Sequence, residues 1–298
     1  MTTLSNKTWN EIPIEVLLQR PITLPGKTRI DDAIAKLQET QSHCLIILRE
    51  DGRLAGVFRE DEVLHRVLGM ELTGAEPVIQ FIDPECFSLK VSATVTQVID
   101  IMGQKGLRFV PLVDEQGFPK GIFSVRELIY FIADKTTCSN GRISAKGEQG
   151  VSVLGSSGTA IVEVLNLPIS FALSRFGFNN IIRMRTNESL GRALKLFRGS
   201  NQLAGLLFEE NRPVGMFRLR HLPFDVLRSS HLDGEFVKNY MTALPESVRE
   251  SETIGSGLTR MANNKILFLH YQMADQRFGL ITGGGLISYL YDHIHDDF

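Results

Sequence analysis

One segment shape recurs four times in this chain of 298 residues, and no other feature constrains the fold as tightly. Each copy reads as a short helix, an apolar strand, a turn, a second strand opening Gly-apolar-apolar, and another helix. The marking glycines are Gly56, Gly121, Gly215 and Gly279, separated by 65, 94 and 64 residues. The copies therefore fall into two close pairs with an insertion between them. Such a repeat dictates the architecture, because each unit has an apolar face that only a neighbouring unit can cover. It also nearly fills the chain and leaves no room for a separate catalytic domain.

Copies one and two superpose without a gap. Ile30, Ile34 and Leu37 fall on Val95, Ile99 and Met102, an i, i+4, i+7 stripe that predicts one buried helix face. Leu45-Ile-Ile-Leu48 falls on Val110-Pro-Leu-Val113, and Gly56-Val-Phe58 on Gly121-Ile-Phe123. The four-residue runs are too short for helices and are bounded by Asp-Gly or Gln-Gly turns, so they read as buried strands. Copy three keeps the scheme with Leu190, Ala193, Leu194 and Phe197, then Leu203–Phe208 and Gly215–Phe217. Copy four has Ile254, Leu258 and Met261, then Ile266–Leu269 and Gly279–Ile281. The expected class is α/β (α+β) with β-α-β-β-α units at residues 10–70, 71–135, 160–230 and 231–298. Residues 136–159, rich in Gly, Ser, Thr and Lys, read as a flexible linker. Gly155-Ser-Ser-Gly-Thr159 lacks the lysine and spacing of a phosphate loop.

Bulk properties narrow the function. At 43% hydrophobic and 22% charged, the chain can bury a true core. A net charge of −2 gives no general attraction to nucleic acid or anionic membrane. Cys44, Cys86 and Cys138 form no Cys-x-x-Cys pair and fit a reducing cytoplasm. The opening Met1-Thr-Thr-Leu-Ser-Asn-Lys7 lacks an apolar signal core, and no window has the length of a membrane span. No catalytic triad, metal-ligand spacing or dinucleotide glycine fingerprint is present. His293 and His295 with Asp292, Asp296 and Asp297 read as a charged tail, not a metal site.

The unit ending in Gly-apolar-apolar-(Ser/Thr)-x-x-(Asp/Glu) resembles the CBS domain, named after cystathionine β-synthase. Gly106–Asp114 followed by Gly121-Ile-Phe-Ser-Val-Arg-Glu127 is the best copy, and Tyr240–Val248 looks like the opening of another. Two such units make a Bateman module. Four in one chain resemble in layout the gamma subunit of AMP-activated protein kinase and stand-alone microbial CBS proteins. The resemblance implies a non-catalytic regulatory protein that binds an adenine nucleotide (AMP, ADP or ATP), with a protein partner or self-association through the modules.

The family places a hydroxyl and a carboxylate where the second strand gives way to the last helix. A hydroxyl beside free helix N–H groups suits a phosphate, and a carboxylate three residues on suits ribose hydroxyls. This chain has Arg59/Glu62, Ser124/Glu127, Arg218/His221 and Thr282/Gly285 at those positions. Only copy two keeps both chemistries. The resemblance adds Ala93, Val98, Arg108 and Phe109 to that site, with His43 facing the phosphate from copy one. Phe109 either stacks on an adenine or fills its pocket. Arg59 and Arg108 either attract an anion to copy one or pair with Glu60, Asp61 or Glu62. Ser124-Val-Arg-Glu127 is also a capping box, worth about 1 kcal/mol without any ligand. Thr282-Gly-Gly-Gly285 reads as a permissive turn or an anion nest. Arg218-Leu-Arg220-His221 reads first as solvated charge at a helix start, and second as a phosphate or partner contact. The remaining alternative is a ligand-free interaction subunit whose degenerate sites are packed shut.

Overall fold

The computed structural model describes residues 14, 19–40, 42–67, 70, 72–83, 86–139, 142–145, 161–176, 181–200, 202, 204–223, 226, 231–272 and 278–295. Four three-stranded sheets share one topology. They are β1 Thr23–Pro25, β2 Cys44–Leu48, β3 Leu54–Arg59; β4 Leu89–Lys90, β5 Phe109–Val113, β6 Pro119–Ser124; β9 Ile182–Arg185, β10 Ala204–Glu209, β11 Arg212–Arg218; and β12 Ser247–Val248, β13 Phe268–Gln272, β14 Phe278–Thr282. In each, the middle strand runs parallel to the first and antiparallel to the third. The parallel pair needs a crossover, and an amphipathic helix supplies it in every copy: Ile30–Glu39, Val95–Lys105, Leu190–Arg198 and Ile254–Asn263. The fold is α/β, built from four β-α-β-β-α units.

The four marking glycines occupy one register position. Gly56, Gly121, Gly215 and Gly279 pair with Ile47, Leu112, Leu207 and Tyr271 on the middle strands. The reason is close approach. A Cβ on Gly56 would lie 2.8 Å from Ile82 Cδ1, and one on Gly215 would lie 2.9 Å from both Met241 Sδ and the Thr242 carbonyl. Those neighbours belong to the segments that open copies two and four. A bulge follows the glycine pair in copies one to three, which twists the third strand toward its helix.

Helix starts are fixed locally. Thr94 with Gln97 and Ser124 with Glu127 form capping boxes, while Ser189 and Thr253 cap their helices by side-chain hydrogen bonds. Gly106, with φ at 63°, closes Val95–Lys105 in the left-handed region.

The units form a ring. Copies one and two meet through their sheets, bridged by Gln19 against Ile122 and by the Leu54 N–H on the Gly117 carbonyl. Copies three and four do the same, with Ala204, Leu206, Phe208 and Met216 packed on Phe278. Copies two and four meet through helices, Val95–Lys105 against Gly283–His295 and Val125–Lys135 against Ile254–Asn263, and share one core. Copies one and three meet more lightly. Leu64 joins the core of copy three, Gln38 bonds the Leu222 carbonyl and Arg198 bonds the Leu64 carbonyl. Part of the stretch read as linker is a hairpin, β7 Thr136–Ser139 paired with β8 Arg142–Ala145; residues 146–160 lie outside the described residues.

Candidate functional site

Ring assembly brings the four strand-to-helix junctions to one place. Each junction follows a third strand whose length and register repeat, so Glu60, Ser124 with Arg126, Arg218 with Arg220, and Thr282 with Gly283 and Gly284 all line a cavity of about 410 Å³. The segment Gln19–Ile22, Phe109, Ile122, Glu127, Arg108, His43 and Phe268 complete its wall.

Copy two contributes a capped helix start. Ser124 Oγ donates to Glu127 Oε2 and accepts from the Arg126 N–H at 3.1 Å; the Ser124 N–H bonds the same carboxylate at 3.0 Å. Gln19 Nε2 donates to the other Glu127 oxygen at 2.6 Å. Glu127 is 9% exposed, so these bonds compensate a nearly buried charge. A carboxylate has about four acceptor positions, so one remains for a ligand.

His43 is the hub. Its Nε2 accepts from Arg126 Nη2 at 3.0 Å and from Arg220 Nη1 at 2.8 Å, while Nδ1 lies 3.4 Å from Glu60 Oε1. Two guanidinium donors on Nε2 fix the tautomer with the proton on Nδ1, directed at Glu60. Copies one, two and three thus meet at one imidazole. Arg126 keeps a buried Nε with no hydrogen-bond partner among the described residues. Burial, then the Arg220 charge, lowers Arg218 to about 10, and its guanidinium lies 5.2 Å from the Phe268 ring. Burial likewise lowers His221 to about 4, helped by Arg218 and Arg220. The cluster Arg218-Leu-Arg220-His221 is therefore not solvated helix-start charge. Arg218 and Arg220 face the cavity because β11 ends there and a short turn, Leu219–His221, follows.

At the junction of copy one, Glu60 lines the cavity but Arg59 does not. Arg59 pairs with Asp61 at 3.2 Å and Glu62 at 2.7 Å, Arg66 pairs with Glu62 at 2.5 Å, and Arg108 reaches Asp61 at 2.6 Å. Of the two expectations for Arg59 and Arg108, the ion-pair one holds. Thr282 caps its own helix, accepting from the Gly285 N–H at 2.9 Å, and also faces the cavity.

The structure thus brings together Ser124, Glu127, Arg108, Phe109, His43 and Thr282. Ala93 and Val98 stand apart. Val98 is fully buried and Ala93 is 7% exposed in the core of copies two and four, away from the cavity. The helix that carries Val98, with Ala93 just before it, faces copy four, whereas the cavity wall beside β6 is Gln19–Ile22. Sequence reasoning missed Gln19, Glu60 and Arg126. The signal for Arg126 was its place inside Ser124-Val-Arg-Glu127.

Two further cavities adjoin. One of about 320 Å³ is bounded by Ile181, Tyr271, Leu280 and Gly285 of copies three and four. One of about 620 Å³ lies between copies one and three, beside Leu37, Leu64, His221 and Met241. His293 bonds the Tyr289 carbonyl at 3.0 Å, and Asp296 and Asp297 lie outside the described residues. Among the described residues no group of three or more His, Cys, Asp or Glu could hold a metal, and no helix is long and apolar enough to cross a membrane.

The CBS domain family model matches residues 14–69 and 78–134 of this chain. Copies three and four lie outside the matched residues. The chain is similar in fold to protein MJ1225 from Methanocaldococcus jannaschii, described as a proposed archaeal homologue of g-AMPK. The TM-score is 0.74 at 15% identity, over 93% of this chain and 99% of that one. It also resembles an uncharacterized conserved protein from Pyrococcus horikoshii, with TM-score 0.56 and 18% identity over 93% and 99% of the two chains. An uncharacterized protein in a ribosomal RNA operon of Thermofilum pendens is 24% identical over 67% of this chain, and the match spans 61% of that relative.

Proposed function

We propose that this chain is a non-catalytic regulatory protein that senses an adenine nucleotide, AMP, ADP or ATP, in the cleft of copy two. The observation that carries the reading is one cavity that combines apolar walls, a carboxylate and several arginines. Ile22, Ile122 and Phe109 offer flat apolar contact to a purine. Glu127 has an acceptor position left for a ribose hydroxyl. Arg126, Arg218 and Arg220 present guanidinium donors, which suit phosphate oxygens. All four units line the cavity, so a ligand that favours one arrangement of the ring shifts its population and with it the outer surface offered to a protein partner or a second copy.

Calorimetric titration with AMP, ADP and ATP tests this. At least one nucleotide binds wild type, and Arg126→Ala weakens it at least tenfold, with a shallower salt dependence. No heat and no thermal shift at millimolar nucleotide would sink the reading. A second reading, a ligand-free interaction subunit, draws on two observations: Arg59 is paired within copy one, and Ser124 and Glu127 satisfy each other. It predicts silent titrations together with recovery of a specific protein partner.

A further inference from the structure

The cavities of copies two and four are neighbours of the same design. In the repeat alignment Ile181, Gln202, Leu280, Thr282 and Gly285 take the places of Pro21, Ser42, Ile122, Ser124 and Glu127. Both sets line their cavities, and the two cavities share Arg108, Gln202, Thr282 and Gly284. At about 410 and 320 Å³, each lies near the lower end of the roughly 300–1,000 Å³ typical of ligand pockets. Together they fall well inside that range.

We infer that the ligand is a dinucleotide, two nucleosides joined by a pyrophosphate, with one nucleoside in each cavity and the linker at the shared residues. The inference rests on the reading that copy two takes an adenine nucleotide.

Three features support it. First, the two halves are unequal. Copy four has Gly285 where copy two has Glu127, so its cavity has no ribose carboxylate at that position. It offers the Tyr271 ring and the apolar Ile181, Leu280 and Leu286 instead. A half-site of that kind holds a free mononucleotide weakly, but a tethered one arrives at millimolar effective concentration. Second, the charge fits. Arg20, Arg108, Arg126, Arg218 and Arg220 face the central cavity with Glu60 and Glu127, and Asp61 neutralises Arg108 from outside. The excess of two positive charges matches the two negative charges of a pyrophosphate diester, as it matches those of AMP, and falls short of a triphosphate. Third, the shared wall carries the start of the helix Gly283–His295, whose Gly283 and Gly284 line the central cavity. Without side chains there, a linker can approach the backbone closely.

Calorimetry of the full chain with AMP and with diadenosine pyrophosphate tests the inference. The expected result is one diadenosine pyrophosphate per chain, bound at least about thirtyfold more tightly than AMP. Ser288→Trp, which narrows only the cavity of copy four, should remove that gain and leave AMP affinity unchanged. AMP binding with no gain for the dinucleotide overturns the inference and leaves the nucleotide reading standing. Undiminished dinucleotide affinity in a folded Ser288→Trp variant also overturns it. Binding of neither ligand overturns both. The wild-type comparison decides by itself if the variant does not fold.

Discussion

Gly103→Ala tests the ring through the sign of a stability change. Gly103 lies on Val95–Lys105 where that helix crosses Gly283–His295. On a helix with no neighbour, alanine would stabilise by about 1 kcal/mol over glycine. Here a Cβ would sit 2.2 Å from Tyr291 Cγ and 2.3 Å from Tyr291 Cβ, far inside van der Waals contact. Those atoms are the stem of the side chain, so turning the ring gives no relief and the helices must move apart. Overpacking of this kind costs about 1–3 kcal/mol, and so short a contact belongs at the upper end. Less the propensity gain, the variant should lose about 2 kcal/mol, read as a lower urea midpoint, and about 4 °C in Tm at roughly 2 °C per kcal/mol. Adding Tyr291→Gly removes the obstruction, so the pair should couple by at least about 1 kcal/mol. A rise in stability for Gly103→Ala alone would refute the packing of copy two on copy four.

Three other outcomes follow from individual environments. His221, lowered to about 4 by burial and by Arg218 and Arg220, stays neutral in the folded chain while an unfolded histidine takes a proton near 6.5. Its contribution is complete above about pH 6.5 and is lost as pH falls toward 4, by about 1–2 kcal/mol after discounting for its partial exposure. His221→Asn should flatten the stability–pH curve in that window, and an unchanged slope would reject the assignment. Glu62 is 4% exposed and bonded by Arg59 and Arg66, so Glu62→Ala should cost about 3 kcal/mol in chemical denaturation; a loss under about 0.5 kcal/mol would contradict the network. Burial pushes the Cys44 thiol far up, so iodoacetamide at pH 8 should leave it unmodified in the native chain and label it in urea, as peptide mass mapping reads. Native labelling of Cys44 would show that β2 is not buried.

The units could be read from the sequence because their signals are local. The stripe Ile30, Ile34, Leu37 and the strand Leu45–Leu48 need only their own periodicity, and both are buried as that periodicity requires. Ser124-Val-Arg-Glu127 likewise caps its own helix. The wall of the cavity is different, because it depends on which unit faces which. Gln19 reaches Glu127 across 108 residues, and Arg220 reaches His43 across 177. Nothing in the periodicity encodes those distances. The misplacement of Ala93 and Val98 has the same origin. The resemblance places them at the first helix of copy two, but the partner of that helix is copy four, and both residues lie in the shared core.

The four junction residues gain a different meaning once the ring is known. Taken as four separate sites, Arg59, Ser124, Arg218 and Thr282 are one repeat position losing its chemistry. Around the ring they alternate by neighbour. Copies one and three, which touch through helices, carry the arginines, and copies two and four, which also touch through helices, carry the hydroxyls. Ser124 and Thr282 both line the central cavity, Thr282 lines the one beside it as well, and Arg218 reaches the central cavity from copy three. Arg59 cannot do the same, because Asp61 and Glu62 hold it within copy one. A hydroxyl caps a helix start while leaving space in front of it; an arginine fills that space or projects its charge out of it. Placing the two chemistries on opposite halves of one ring therefore converts four equivalent positions into two unlike pairs.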